Sequence, residues 1–197
     1  MLFDLIKDSS LNETYKLMAQ TILPRPIAWV VTEDNGVINI APFSYFIGLS
    51  SDPASVLISV GKKSDGSNKD TLANILKTKK CTICMVEEKD LEKMHFSSKE
   101  LNSSSSEADI FNIPTKKLVD NYPPMIDGVV SAYFCDFNQT IELGGNTTPI
   151  VLNVKEIFVD DKAIIDKDKL TISFKPVARI GKSYAFLGED ITPPKIP

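Results

Sequence analysis

Histidine and tryptophan each occur once in this 197-residue chain, and cysteine three times. A single histidine with no second Cys-x-x-Cys pair leaves too few ligands for a structural zinc site. An odd, small number of cysteines argues against a disulfide framework. No apolar run approaches the roughly 18 residues needed to cross a bilayer. The N-terminal stretch carries Asp4, Lys7 and Asp8, which breaks a signal-peptide core, so a cytoplasmic protein is expected. There is no excess of positive charge either. The net charge is −4 and the pI about 5.1, against the basic face of a nucleic-acid binder. Missing too are the Gly-x-Ser-x-Gly elbow of a hydrolase, the phosphate loop Gly-x4-Gly-Lys-[Ser/Thr], and any Gly-x-Gly-x-x-Gly; Gly144-Gly145-Asn146 does not supply the last.

What is present is ordinary globular composition, 43% hydrophobic and 24% charged, at a length that fits one domain over residues 1–197. Ser10-Leu11-Asn12-Glu13 has the form of a capping box, so a helix follows, with Leu11, Tyr15, Met18 and Ala19 on one face. It ends before Pro24-Arg25-Pro26, which holds the chain extended. Ile27–Thr32 and Val37–Ile40 are strands around the turn Asp34-Asn35-Gly36. Phe43–Gly48 is expected to be packed but irregular. Strands are expected at Ser55–Val60, Lys80–Val86, Val129–Phe137, Ile150–Val159 and Ile172–Phe174, and short helices at Asp70–Lys77 and Glu88–Met94. Many strands with few short helices favour an antiparallel, barrel-like, mainly β fold over a doubly wound one. The tail Ile191–Pro197 can form neither helix nor central strand.

Cys81 and Cys84 invite a redox reading, but three residues apart on a strand they point to opposite faces, as buried packing residues. His95 reads as a surface or helix-terminal residue. The Ser-rich stretch 97–107 is either a mobile surface loop or a lid over a ligand.

Two segments offer chemistry, although each taken singly also reads as ordinary structure: a solvated loop with Asp70 as helix N-cap, and a half-buried hairpin with its aromatics in the core. Gly61–Asp70 is a polar loop leading into a helix whose first-turn N–H groups and dipole favour an anion, with Lys62, Lys63, Lys69, Ser67 and Thr71 alongside. The hairpin and the stretch Asn39–Phe46 offer Thr32, Asn39 and Ser44 as polar groups, and Trp29, Phe43, Tyr45 and Phe46 as apolar walls. A flat ring at one end and a phosphate at the other point to FMN.

Pro24–Thr32 with Gly36 and Asn39–Phe46, then Asp65-Gly66, Lys69-Asp70-Thr71 and Asn74, closely resemble the motifs of the flavin reductase-like, FMN-binding split-barrel family. Ser106-Glu107-Ala108 and Pro176–Gly181 with Tyr184 resemble its later elements. The resemblance implies a homodimer of antiparallel, Greek-key split β-barrels with one FMN per subunit near the interface. By position, Thr32, Asn39, Ala41, Pro42 and Ser44 would line the isoalloxazine and ribityl chain. Ser59, Lys69, Asp70 and Thr71 would lie by the ribityl and phosphate groups, with Arg25 and Arg179 as further contacts. Flavin would carry the chemistry, so no catalytic side chain is required. The implied activity is electron transfer from NAD(P)H through FMN to a flavin or small acceptor. A flavoredoxin-type carrier fed by a redox protein and a non-catalytic FMN-binding protein are the alternatives. Without a dinucleotide fold, a nicotinamide would stack directly on the flavin. The chain departs from the family pattern at Phe134-Cys135, where Glu-Cys is usual, and at Gly181-Lys182, where Gly-Gly is usual.

Overall fold

A computed structural model describes residues 2–6, 10–194 and 196. Helix α1 (Leu11–Thr21) starts at the expected capping box: Ser10 accepts from the Glu13 N–H, and the Glu13 carboxylate accepts from the Ser10 N–H. It is followed by strands β1 (Ala28–Asp34), β2 (Val37–Phe43), β3 (Phe46–Ser51) and β4 (Ala54–Gly61), helix α2 (Asp70–Thr78) and strand β5 (Lys80–Cys84). A 3-10 turn at Glu88–Asp90 leads into α3 (Leu91–Phe96), and a short α4 (Glu107–Ile110) follows the Ser-rich stretch. Then come β6 (Thr115–Lys116), β7 (Met125–Ile126), the long β8 (Ser131–Thr140) and β9 (Thr147–Val159), β10 (Ile164–Asp166), β11 (Thr171–Ile172), β12 (Val177–Ile180) and β13 (Ser183–Phe186).

Seven of these strands form one antiparallel sheet, in the order β2-β1-β5-β8-β9-β4-β3. Its two edge strands, β2 and β3, are joined only by Ser44-Tyr45. A linker that short forces the sheet to curl until its edges meet, which gives a barrel left open between β2 and β3. Around the ring the strands run β1-β2-β3-β4, and the chain returns through α2 to place β5 beside β1. That return is the Greek-key feature of the split barrel.

Alternation sorts the side chains into two cores. Ala28, Val30, Val56, Ile58, Val60, Cys81, Ile83, Ile150 and Leu152 fill the barrel, closed at one end by Leu72 and Ile75 of α2. Trp29, Val31, Ile40, Cys84, Ala132 and Phe134 face outward and are covered by Met94 of α3, Ala108 of α4 and the segment 113–129. Cys81 and Cys84 therefore do diverge, one into each core, and all three cysteines are buried and free. The adjacent Cys135 thiol and burial hold the Cys81 thiol well above its usual range, and burial pushes Cys84 up to about 12. Neither is a ready nucleophile at neutral pH.

Three sequence expectations change in detail. Phe43–Gly48 is not irregular: β2 runs through Phe43 and β3 starts at Phe46, because this is where the chain crosses the split. The helix expected over Glu88–Met94 is a 3-10 turn followed by α3, which extends to Phe96. The strand at 172–174 shrinks to the two residues of β11. Residues 191–194 of the tail form no helix or strand, and Lys195 and Pro197 lie outside the described residues, as do Lys7 and Asp8.

Candidate functional site

Two adjoining cavities lie along β2. Asn39, Ala41, Lys63, Lys69, Thr71 and Glu107 line the first, with Ser97–Leu101 across from them. Pro42, Phe43, Ser44, His95, Arg179 and Tyr184 line the second, together with Tyr15, Ile27 and Met94. Ser98 lines both, so the stretch Asn39–Ser44 runs continuously from one cavity into the next.

The first cavity is polar and rigidly built. The Asn39 side-chain amide donates to the Thr32 hydroxyl at 3.2 Å and to the Thr71 hydroxyl at 3.0 Å, while the Asn74 amide donates to Thr32 at 3.0 Å. These bonds tie the β1–β2 hairpin to α2, and Thr32, Asn39 and Thr71 are all buried. Buried polar groups held this way keep their positions, since each lost bond costs about 1–3 kcal/mol. Thr71 still has its own hydroxyl proton to give. The N-cap of α2 is Lys69, not Asp70, and no side chain caps the helix. The first-turn N–H groups are thus open to an anion in the cavity that Lys69 and Thr71 line.

Asp70 stands at the same turn, and its carboxylate is already engaged by Lys63 at 2.8 Å and by the Ser103 hydroxyl at 2.7 Å. The Ser-rich stretch is thereby fastened over the polar loop, with Ser64 also donating to Glu100 at 2.9 Å. Glu107, 5% exposed, accepts from the Ile40 N–H at 2.9 Å. That N–H points away from β1 on an edge strand, so Glu107 supplies the ladder partner the strand lacks. Burial raises the Glu107 carboxyl above its ordinary value.

The second cavity is apolar on its floor and polar at one wall. His95 Nδ1 lies 2.9 Å from the Tyr184 hydroxyl, and the Arg179 guanidinium stacks on the Tyr184 ring at 4.6 Å. Behind Ser44 sits Arg25, 3% exposed. It donates to the carbonyls of Ala19 and Ile22 at the end of α1, to Gly181, and through Nε to Ser44 at 3.4 Å. The last turn of α1 has no basic residue of its own, so Arg25 satisfies its orphan carbonyls and complements its dipole.

Of the residues singled out in the sequence, Asn39, Ala41, Lys69, Asp70 and Thr71 line the first cavity, with Thr32 bonded behind them. Pro42, Ser44 and Arg179 line the second. Arg25 is a buried brace behind this wall. Ser59 stands apart: it lines neither cavity, and its N–H donates to the Tyr45 carbonyl at 2.9 Å, which extends the β3–β4 pairing by one residue. The sequence reading missed His95 as a cavity residue. It is exposed, as expected, but the hydrogen bond to Tyr184, far along the chain, has no local signal. Glu107 was visible as part of a motif, without its role.

A phosphate-bearing ligand with a flat ring fits these residues. The uncapped helix start and Lys69 suit the phosphate, and the Ala41–Ser44 stretch with its apolar neighbours suits the ring. Among the described residues no cluster of His, Cys, Asp or Glu could hold a metal.

An open antiparallel barrel with a two-part cavity of this kind defines a small-molecule-binding β-barrel protein. Residues 18–172 match the flavin reductase like domain, and the chain belongs to that family. The protein YwrF of Bacillus subtilis is 31% identical over 193 residues, covering 93% of each chain. The 2-nitrobenzoate 2-nitroreductase NbaA of Pseudomonas fluorescens superposes with a TM-score of 0.88 at 23% identity, covering 100% of this chain and 96% of its own. Component B of nitrilotriacetate monooxygenase from Bacillus cereus gives 0.87 at 25% identity, covering 98% of both. The chain is a split-barrel protein of flavin-related oxidoreductase kind.

Proposed function

We propose that this protein binds FMN in the two adjoining cavities and passes electrons from NAD(P)H, through the flavin, to a flavin or another small acceptor. The observation that carries this reading is the continuity of the cavities along Asn39–Ser44, phosphate-suited at one end and ring-suited at the other. Bound FMN would supply hydride acceptance and electron return. The protein's part is to hold and orient it. Lys69 and the first turn of α2 fix the phosphate. The Thr32–Asn39–Thr71 network sets the distance from phosphate to ring. Pro42, with no N–H to give, lets the edge of β2 lie flat against a ligand.

A homodimer accords with the surface. Strand β3 is an unpaired sheet edge carrying Ile47 and Leu49 at 60% and 52% exposure. The apolar face expected on α1 is present, yet Leu11, Tyr15 and Met18 are 79%, 51% and 40% exposed, with Ala19 alone buried. Long apolar edge strands are normally covered. Three unpaired buried thiols suit a reducing, cytoplasmic setting.

Anaerobic mixing of FMN-loaded protein with NADH and with NADPH tests the donor. Bleaching of the flavin absorbance by at least one donor is expected. Inertness to both, with rapid reduction by a redox protein, would replace the reductase reading with that of an electron carrier.

A further inference from the structure

The second cavity contains a cation, an imidazole and no carboxylate. Its lining includes Arg179 and His95 but neither Asp nor Glu. Beyond Tyr15 and Arg179 it opens into a wider groove of about 930 Å3, where Lys16 and Lys182 are added and again no acid. Lys182 is one of the positions at which the chain departs from its family's pattern. In a chain of net charge −4, this one-signed lining stands out.

Arg179 is both held and available. Its backbone exchanges hydrogen bonds with Arg25, at 2.9 and 3.1 Å. Its Nε donates to the Gly181 carbonyl at 3.2 Å and its plane rests on Tyr184. Among the described residues its terminal nitrogens have no hydrogen-bond partner and no carboxylate. A guanidinium fixed by stacking with its outer fork uncommitted is preorganised for bidentate binding of a carboxylate. Arg25, buried behind Ser44, adds a second positive charge that carbonyl dipoles satisfy and no carboxylate neutralises. In a partly buried site both charges act through a reduced dielectric. Around them the lining is apolar, with Ile27 and Met94 beside the Pro42–Phe43 surface that backs the flavin ring, so a planar ligand has the flavin itself to stack on.

We infer that the small molecule acting beside the flavin is a planar carboxylate, an aromatic or conjugated acid, with Arg179 gripping the carboxylate and the Tyr184–His95 pair donating to it. This rests on the flavin reading and deepens it. The Tyr184 hydroxyl can turn its proton to the ligand when His95 Nδ1–H donates to the phenol oxygen. The Arg179 fork sits where cavity and groove meet, so the acid's ring lies over the flavin ring that Pro42–Ser44 back, and its charge lies toward the groove.

Calorimetric titration of FMN-loaded protein with benzoate, and with its neutral isostere benzamide, tests the assignment. Benzoate should bind at least tenfold more tightly than benzamide. Arg179→Gln should erase that preference while leaving benzamide affinity unchanged, and Arg179→Lys should restore part of it. Equal affinities in the unaltered protein, or a preference that survives Arg179→Gln, would overturn the inference. So would an Arg179→Gln protein that sheds FMN but keeps riboflavin, because Arg179 would then serve the flavin phosphate. A protein that takes up no FMN refutes the flavin reading instead; the same titration without flavin then still decides whether the cavity selects acids.

Discussion

Glu107 shows how one side chain can be both a strut and a liability. Its carboxylate completes the hydrogen bonding of Ile40 on an open strand edge, yet it is buried, and burial disfavours its charged form. The native carboxyl therefore titrates above its unfolded value, near 4.5. The folded state holds the proton more tightly than the unfolded one, so stability from this group is fully present below that value. It is lost as pH rises through the raised native value. Glu107→Gln keeps an acceptor for the Ile40 N–H and removes the charge. Denaturant unfolding from pH 4 to 7 should show Glu107→Gln gaining on the unaltered protein as pH rises, the two converging at the acid end. Parallel curves would show that the carboxylate is not paying a burial penalty. The sequence marks Glu107 as part of the Ser106-Glu107-Ala108 motif, but its bond to Ile40 and its burial were not legible there. His95 is similar: its neighbours Met94 and Phe96 say nothing of Tyr184, which the fold brings to it from β13.

At the scale of elements, legibility follows from how local the cause is. The capping box of α1, the Asn-Gly turn between β1 and β2 and the β-branched runs of β4 and β5 each act within a few residues, and each forms as read. The opposite facing of Cys81 and Cys84 needs only the two-residue period of a strand. The stretch Phe43–Gly48 was misread for the converse reason. Its strands are defined by partners on opposite sides of a split, β1 for one and β4 for the other, and Ser44-Tyr45 looks like a break only from within. The start of α2 is intermediate. That a helix begins there is plain, but the side-chain-free cap appears only once Asp70 is seen turned to Lys63 and Ser103.

For the whole molecule, the exposed apolar residues of β3 and α1 are a cost that a single chain leaves unmet. Ile47, Leu49 and the α1 face form patches that water should not favour, at roughly 25 cal/mol for each Å2 left exposed. If a second copy covers them, Ile47→Asp should convert the dimer to a monomer in sedimentation and weaken FMN binding, since the family pattern places the flavin near that boundary. A protein that is monomeric without any substitution would remove the dimer from the account. The sequence showed the apolar face of α1 but not its partner, because periodicity shows that a face will be buried and not against what.

The central claim is that the two cavities along β2 are one FMN site with its phosphate end at α2. Parallel titrations of FMN and riboflavin, followed by flavin fluorescence in the unaltered protein and in Lys69→Ala, test it most directly. Lys69 is preferred to Thr71 here, because the Thr71 hydroxyl also supports the buried network and its loss would blur the result. The account predicts saturable binding of FMN at one per chain, and a loss of about tenfold or more for FMN in Lys69→Ala with little change for riboflavin, in keeping with a charge-assisted contact of ~1.5–3 kcal/mol. No saturable binding of FMN, or equal losses for both flavins, would contradict it.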